Sequence, residues 1–135
     1  MKKLFSTKYS AGVFNLALLF LRISVGALML NHGYDKLIKF SEMKGEFMNF
    51  MGLGATTSLA LVVFSEFFCS LLLILGLFTR LVTIPLIITM GVVIYKVGKM
   101  DIFASAELAT LFFVSYVVIL LLGPGKISVD GLISK

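Results

Sequence analysis

The chain has 135 residues, of which 59% are hydrophobic and 14% are charged, and its formal net charge is +5. Its mean hydropathy of +1.07 and its single cysteine exclude a disordered chain, a secreted disulfide scaffold and a thiolate metal cage. We therefore predict an all-α integral membrane protein with one domain, 1–135, and no room for a separate soluble catalytic domain.

Four apolar runs predict four transmembrane helices. They cover about 11–32, 55–78, 81–97 and 102–122. A helix of about 20 residues, rising about 1.5 Å per residue, matches the hydrocarbon core of a bilayer, which is about 30 Å thick. Because the connections between most of the runs are short, we expect an antiparallel four-helix bundle.

The segment at about 37–51, between the first two runs, predicts a short interfacial helix. Its apolar residues recur at steps of three and four, with charged residues between them, which is typical of an amphipathic helix. These apolar residues are Leu37, Phe40, Met43, Phe47 and Met51. The pattern leaves open whether the segment only covers the membrane surface or forms a lid over a lateral entrance.

Lysine and arginine residues flank the apolar runs, where they meet lipid headgroups, so the positive net charge does not indicate nucleic-acid binding. If the N-terminus lies inside, six of these cations fall inside and five outside. The inner set is Lys2, Lys3, Lys8, Arg80, Lys126 and Lys135, and the outer set is Lys36, Lys39, Lys44, Lys96 and Lys99. This difference favours both termini in the cytoplasm. The location that we predict for this multi-pass protein is the bacterial plasma membrane.

Two charged residues lie near the middle of apolar runs, Arg22 in the first and Glu66 in the second. A lone charge at the centre of a membrane helix costs about 2.5–3.5 kcal/mol on insertion scales. We therefore expect Arg22 and Glu66 to form an intramembrane pair. The pair either locks the bundle as a static ion pair or forms part of a polar headgroup site or a proton pathway.

A second polar set is predicted at the outer end of the bundle. Asn31, His32 and Lys36 follow the first run, and Glu107 opens the fourth. We predict a pocket formed by these four residues, in which His32 either makes interfacial hydrogen bonds or contacts a quinone carbonyl. The single histidine excludes bis-histidine haem ligation, and no metal site is predicted.

Four stretches of the sequence resemble the DoxX family of small four-helix membrane proteins. They are FLRISVGALMLNHGYDKL, SEFFCSLLLILGLFTRL, AELATLF and LLLGPGKISVDG. The resemblance implies that the family's signature positions are occupied here by Arg22, His32, Gly33, Lys36, Glu66, Gly76, Arg80, Glu107, Gly123, Pro124 and Asp130.

The family takes its name from a subunit of a thiosulfate:quinone oxidoreductase, so the resemblance implies a membrane subunit or anchor of a quinone- or thiol-linked redox complex. The chain has no catalytic or cofactor motif of its own, so whether it is an enzyme stays open. A soluble redox partner protein or a diffusible quinone must carry the electrons. The alternative is a small proton-linked transporter acting as a homo-oligomer, which would need Glu66 free to titrate.

Overall fold

The computed structural model describes residues 2–43, 45, 52, 54–97, 99, 101–104 and 106–133, and every regular element in these residues is helical. The predicted all-α class is therefore confirmed for this part of the chain. After a 3₁₀ turn at Lys2–Phe5, the helices are α1 (Ala11–Ile38), α2 (Phe40–Met43), α3 (Ala55–Leu75), α4 (Thr79–Val92), α5 (Glu107–Leu122) and α6 (Val129–Ile133).

The four long helices pack in a ring. Helix α1 contacts α3, α3 contacts α4, α4 contacts α5, and α5 returns to α1. Helices α1 and α3 are antiparallel, because Gly26 lies against Ile74 and Gly33, two turns further along α1, lies against Glu66. Fully buried apolar side chains from α3, α4 and α5 fill the centre of the ring; they include Leu73, Leu86 and Ile119.

Three helical stretches are long and apolar enough to cross a membrane, namely Ala11–Ile38, Ala55–Leu75 and Thr79–Lys96. Helix α5 is also apolar, but its 16 residues span only about 24 Å at 1.5 Å per residue. Large apolar side chains cover the outer surface of the ring, as at Phe20, which is 75% exposed. Lipid is the environment that removes such a surface from water, so the chain is a membrane protein.

Helix α1 is longer than predicted. The sequence predicts its end near residue 32, where polar residues begin, but the helix continues to Ile38. It continues because Gly33, which lacks a side chain, fits against the backbone of α3, where a Cβ atom would lie 2.5 Å from the carbonyl carbon of Glu66. The extra turns place Lys36 beside α3 rather than in a loop.

The remaining boundaries differ less. Helix α5 begins at Glu107 rather than 102, because residues 101–104 form turns, with the N–H groups of Ala104 and Ala106 both donating to the Asp101 carbonyl. The predicted interfacial helix at 37–51 begins too early, because Leu37 and Ile38 are the last residues of α1. Beyond them the structure describes one helical turn, Phe40–Met43. The rest of that prediction, including Phe47 and Met51, lies outside the described residues.

Two π-helical segments interrupt regular α-helix. One occupies Phe64–Cys69 in the middle of α3, and the other, Val93–Val97, continues α4. A π-helical turn accommodates an extra residue, which rotates the side chains that follow, and such segments occur frequently at functional sites. Glu66 lies in the first of them.

A C-terminal segment, residues 123–133, folds back across the end of the bundle where α3 stops. Helix α3 ends at Gly76, whose φ of +74° is in the left-handed region that favours glycine. The Asp130 N–H donates to the Gly76 carbonyl at 2.9 Å, and the Lys126 N–H donates to Asn15 Oδ1 on α1 at 2.9 Å. The segment therefore joins the first turns of α1 to the connection between α3 and α4.

Candidate functional site

The structure does not bring Arg22 and Glu66 together, although each is only 2% exposed. Arg22 lies beside Gly76 at the end of α3, whereas Glu66 is ten residues earlier on α3, or about 15 Å along the helix axis. The prediction of a direct pair is therefore wrong. It assumed that the centres of the two apolar runs lie at the same depth. Instead, the N-terminal turns of α1 extend beyond the C-terminal end of α3, so that Arg22 lies beside Gly76.

Arg22 belongs to a group that we call the Arg22 cluster, formed by Arg22, Gly76, Arg80, Pro124 and Asp130. Arg22 donates from Nη1 to the Pro124 carbonyl at 2.7 Å, and from Nη2 to the carbonyls of Ile127 at 3.0 Å and Ile74 at 3.4 Å. Because carbonyl oxygens accept hydrogen bonds from the guanidinium without a counter-charge, the backbones of the C-terminal segment and of the end of α3 engage both Nη atoms. Arg22 Nε has no hydrogen-bond partner within the described residues.

Asp130 caps the start of α4. Its two carboxylate oxygens accept hydrogen bonds from the N–H groups of Phe78 at 2.8 Å and Thr79 at 2.9 Å. Burial acts to raise the pKa of Asp130, but the N–H groups of Thr79 and Phe78, the neighbouring Thr79 hydroxyl and the Arg22 charge outweigh it, so the pKa lies below its usual value of 3.8. Asp130 therefore remains ionised and stabilises both α4 and Arg22.

An open cavity of about 750 Å³ lies beside the Arg22 cluster, between the start of α4 and the C-terminal segment. Its polar lining includes Thr79, Arg80, Lys126 and Asp130. Arg80 donates from Nε to the Leu120 carbonyl at 3.1 Å, which ties α4 to the end of α5. At this end of the molecule, hydrogen bonds from arginine side chains to backbone carbonyls hold the segments together. Beside them lies an accessible cavity with polar and apolar lining residues.

The second group, which we call the Glu66 cluster, consists of Gly33, Lys36, Glu66, Ser70 and Tyr116. Lys36 Nζ lies 2.6 Å from Glu66 Oε1, and the two side chains are 24% and 2% exposed. The contact requires the last turns of α1, which carry Lys36 alongside the π-helical segment of α3. A buried carboxylate is therefore paired with a lysine that remains partly accessible.

Two hydroxyl groups in the Glu66 cluster lack partners. Tyr116 on α5 and Ser70 on α3 are both 0% exposed, and neither hydroxyl oxygen makes a hydrogen bond within the described residues. The Ser70 side chain lies within reach of a hydrogen bond to the Tyr116 hydroxyl, and Glu66 and Cys69 are close enough to interact with it electrostatically. Since a buried hydroxyl without a hydrogen bond costs about 1–3 kcal/mol, the cluster holds unused hydrogen-bonding capacity.

Aromatic rings connect the Glu66 cluster to the exposed end of the bundle. The Tyr116 ring stacks on Phe112, with centroids 6.0 Å apart, and Phe112 meets the exposed His32 ring edge-on at 6.2 Å. The three rings form a continuous row from the surface to the buried Tyr116 hydroxyl.

The sequence matches the model of the DoxX family over residues 17–99, which is more than half of the chain. The chain belongs to the DoxX family. Neither a comparison with curated proteins nor one with solved structures gives a significant match. In this DoxX protein the matched region contains Arg22, Lys36, Glu66 and Arg80. Each cluster therefore has residues within the matched region.

The DoxX match stops before α5 and the C-terminal segment, which supply partners to each cluster. Tyr116 completes the Glu66 cluster, and Asp130 completes the Arg22 cluster. Sequence reasoning did not place Tyr116 in a site, because a tyrosine in an apolar helix resembles an ordinary core residue. Asp130 was recognised only as a signature position of the family, since its capping role depends on a contact with Phe78 and Thr79, more than 50 residues away.

The structure divides the predicted outer pocket. Lys36 joins Glu66, and His32 approaches the same cluster through Phe112. Asn31 and Glu107 are exposed, and no hydrogen bond or ion pair links either of them to His32 or Lys36 in the part of the chain that the structure describes. Within those residues no group of three or more histidine, cysteine, aspartate or glutamate side chains is placed to hold a metal ion.

Proposed function

We propose that this DoxX protein is a membrane subunit of a redox complex and that its Glu66 cluster binds the carbonyl-bearing ring of a quinone. The observation that carries the proposal is the pair of fully buried hydroxyls, on Tyr116 and Ser70, that have no hydrogen-bond partner beside the ion pair of Lys36 and Glu66.

The chemistry of the cluster matches a quinone in both oxidation states. A quinone carbonyl only accepts hydrogen bonds, and the hydroxyls of Tyr116 and Ser70 and the Lys36 ammonium are donors. Reduction to the quinol takes up an electron pair and a proton pair and converts each carbonyl into a hydroxyl, for which the Glu66 carboxylate is an acceptor. Because the chain carries no redox group of its own, a partner protein in the complex supplies the electrons.

The row of His32, Phe112 and Tyr116 supports an approach from the exposed end of the bundle. Aromatic faces suit the flat ring of a quinone, since stacked and edge-on contacts between rings add about 0.5–1.5 kcal/mol beyond burial. In this arrangement the exposed His32 stands at the entrance.

The transporter alternative finds less support in this geometry. A proton-linked transporter needs a carboxylate that alternates between a proton and its substrate. Glu66 is held by Lys36 at 2.6 Å, so each cycle would have to separate a largely buried ion pair, which costs several kcal/mol per ion.

The proposal is tested by the thermal unfolding of the detergent-purified protein with decylubiquinone and with menadione. A ligand at 100 times its Kd stabilises the folded state by about 2.7 kcal/mol, which is measurable as a rise in Tm. We expect a rise for the wild type and for the Tyr34→Phe control, which removes an exposed hydroxyl. For Tyr116→Phe we expect a smaller rise, with about half of the stabilisation, because one lost hydrogen bond weakens binding by about tenfold. The absence of a shift in the wild type, or an undiminished shift in Tyr116→Phe, would contradict the proposal.

We further propose that α5 is a fourth span and that both termini lie in the cytoplasm of a bacterial cell. The cationic residues before α1 support this orientation. Single cysteines at Ser6 and Ser41, in a Cys69→Ser background, test it with an impermeant thiol reagent on intact cells. Labelling of Ser6→Cys, or failure to label Ser41→Cys, overturns the topology. Co-purification from native membranes identifies the redox partner or a second copy of the chain.

A further inference from the structure

We propose that the cavity beside the Arg22 cluster binds the phosphate group of an anionic membrane phospholipid. The cavity has a volume of about 750 Å³ and is open at its outer side. This site is separate from the Glu66 cluster and does not depend on quinone binding there.

Three groups that can donate hydrogen bonds belong to residues lining the cavity. Thr79 is 1% exposed, and its hydroxyl lies near the Asp130 carboxylate but makes no hydrogen bond within the described residues. The N–H groups of Arg80 and Leu81 lie in the first turn of α4, where no helical carbonyl precedes them. Oriented N–H groups at a helix N-terminus bind anions, and a phosphate oxygen also accepts from a hydroxyl.

The charges around the cavity favour an anion. Arg80 and Lys126 contribute two cations, and Lys126 forms no ion pair in the described part of the chain. The only carboxylate in the lining belongs to Asp130, and the N–H groups of Phe78 and Thr79 already occupy its two oxygens. Arg22 further offsets the charge of Asp130, so the cavity retains an excess of positive charge.

The surroundings of the cavity indicate a lipid rather than a free phosphate ion. Phe78, Leu81 and Ile133 line it and are 58%, 66% and 69% exposed. These apolar side chains provide a wall for the glycerol and the first methylenes of an acyl chain. The apolar stretch Thr79–Lys96 begins at the cavity, which places it at the depth where headgroups meet hydrocarbon.

The test is native mass spectrometry of the full chain in detergent, titrated with phosphatidylglycerol, with phosphatidylcholine of the same acyl chains and with inorganic phosphate. We expect phosphatidylglycerol to bind about fivefold or more tightly than phosphatidylcholine, since each cation near a headgroup contributes about a factor of five. Lys126→Gln should lose about this factor, and Thr79→Val, which changes no charge, should lose about tenfold because it removes a hydrogen bond to a charged group.

The matched control is Lys96→Gln, which removes the same charge from an exposed position at the other end of the α4 stretch and should bind phosphatidylglycerol as the wild type does. Equal losses in Lys96→Gln and Lys126→Gln would mean diffuse surface attraction and overturn the site. Unchanged binding by Thr79→Val, or equal affinities for the two lipids, would also overturn it. Inorganic phosphate bound as tightly as the lipid would overturn the lipid assignment.

Discussion

The two polar clusters bury their charges equally but satisfy them differently. Arg22 and Glu66 are each 2% exposed. Arg22 donates to three backbone carbonyls, on Ile74, Pro124 and Ile127, so its charge is tied to atoms that move only if the backbone moves. Glu66 is held by one side chain, Lys36, and lies close to hydroxyls that have no partner.

This difference separates a structural charge from a candidate functional one. Burial of an ionisable group in a membrane helix is often taken as a sign of function, yet Arg22 is accounted for by locking the C-terminal segment onto the bundle. Unused hydrogen-bonding capacity is more informative, because a protein that carries it without a ligand loses stability. Arg22 Nε also lacks a partner in the described residues, although both Nη atoms are bonded. The hydroxyls of Tyr116, Ser70 and Thr79 make no hydrogen bond at all there, so the Glu66 cluster and the cavity at Thr79 are the sites to test.

The largest effect is expected for Arg22→Met. The substitution leaves three carbonyls without their donor and removes the cation that offsets Asp130, so the free energy of unfolding should fall by about 3–5 kcal/mol. Denaturant titration of the detergent-purified protein measures the loss. The control is Lys39→Met, which changes an exposed residue. If Arg22→Met loses no more stability than this control, Arg22 does not have the structural role described here.

The next largest effect is a coupling energy, measured by double-mutant cycles, that should be present within the Glu66 cluster and absent between the two clusters. Lys36→Met and Glu66→Leu should couple by about 1–3 kcal/mol, because Lys36→Met leaves the buried Glu66 charge without its partner and Glu66→Leu leaves Lys36 unpaired. Arg22→Met and Glu66→Leu should be additive within about 0.5 kcal/mol, since their side chains do not meet. The reverse pattern would show that Arg22, not Lys36, is the partner of Glu66.

Asp130→Asn should destabilise the protein by about 1–2 kcal/mol at pH 7, because it weakens the cap of α4. The pKa of Asp130 is below 3.8 in the folded protein, so folding releases protons and the stabilisation by the carboxylate is present above that pH. It is lost as the pH falls through 3.8 towards the lower folded pKa. The difference between wild type and variant should therefore shrink from pH 6 to pH 3, and a constant difference would exclude the carboxylate charge as its cause.

The smallest effect is expected for Tyr116→Phe without ligand. Since the Tyr116 hydroxyl has no partner, its removal should leave stability unchanged or raise it by up to about 1 kcal/mol. Thr83→Val is the matched comparison, because the buried Thr83 hydroxyl donates to the Arg80 carbonyl at 2.7 Å; its loss should cost about 1 kcal/mol. A similar loss for Tyr116→Phe would show that its hydroxyl is bonded.

The helices could be predicted from the sequence because hydropathy reports directly on contact with lipid. The sequence predicts where α1 and α3 begin, at Ala11 and Ala55, to the residue. The end of α1 was not, because the polar stretch from Asn31 to Lys36 resembles a loop. Its helicity depends on the contact between Gly33 and the backbone of Glu66, which involves a residue distant in sequence.

The candidate sites could be predicted less well. Glu66 and Lys36 were both selected from the sequence but were assigned to different groups, because their pairing depends on the register between α1 and α3. Register is set by small contacts such as Gly26 on Ile74, which periodicity does not reveal. The unpartnered hydroxyl of Tyr116 and the cap by Asp130 depend on helix packing and on a chain reversal, so no local pattern indicates them.

The lock between Arg22 and Pro124 joins residues 102 positions apart, which has a consequence for biogenesis. At about 5–20 residues per second, the ribosome needs on the order of 5–20 seconds to synthesise the chain between them. Throughout that interval Arg22 lacks the carbonyls of Pro124 and Ile127, which accept two of its three hydrogen bonds. The Arg22 cluster therefore stays incomplete until the C-terminal segment has been synthesised, so translation itself sets the earliest time at which the protein can mature.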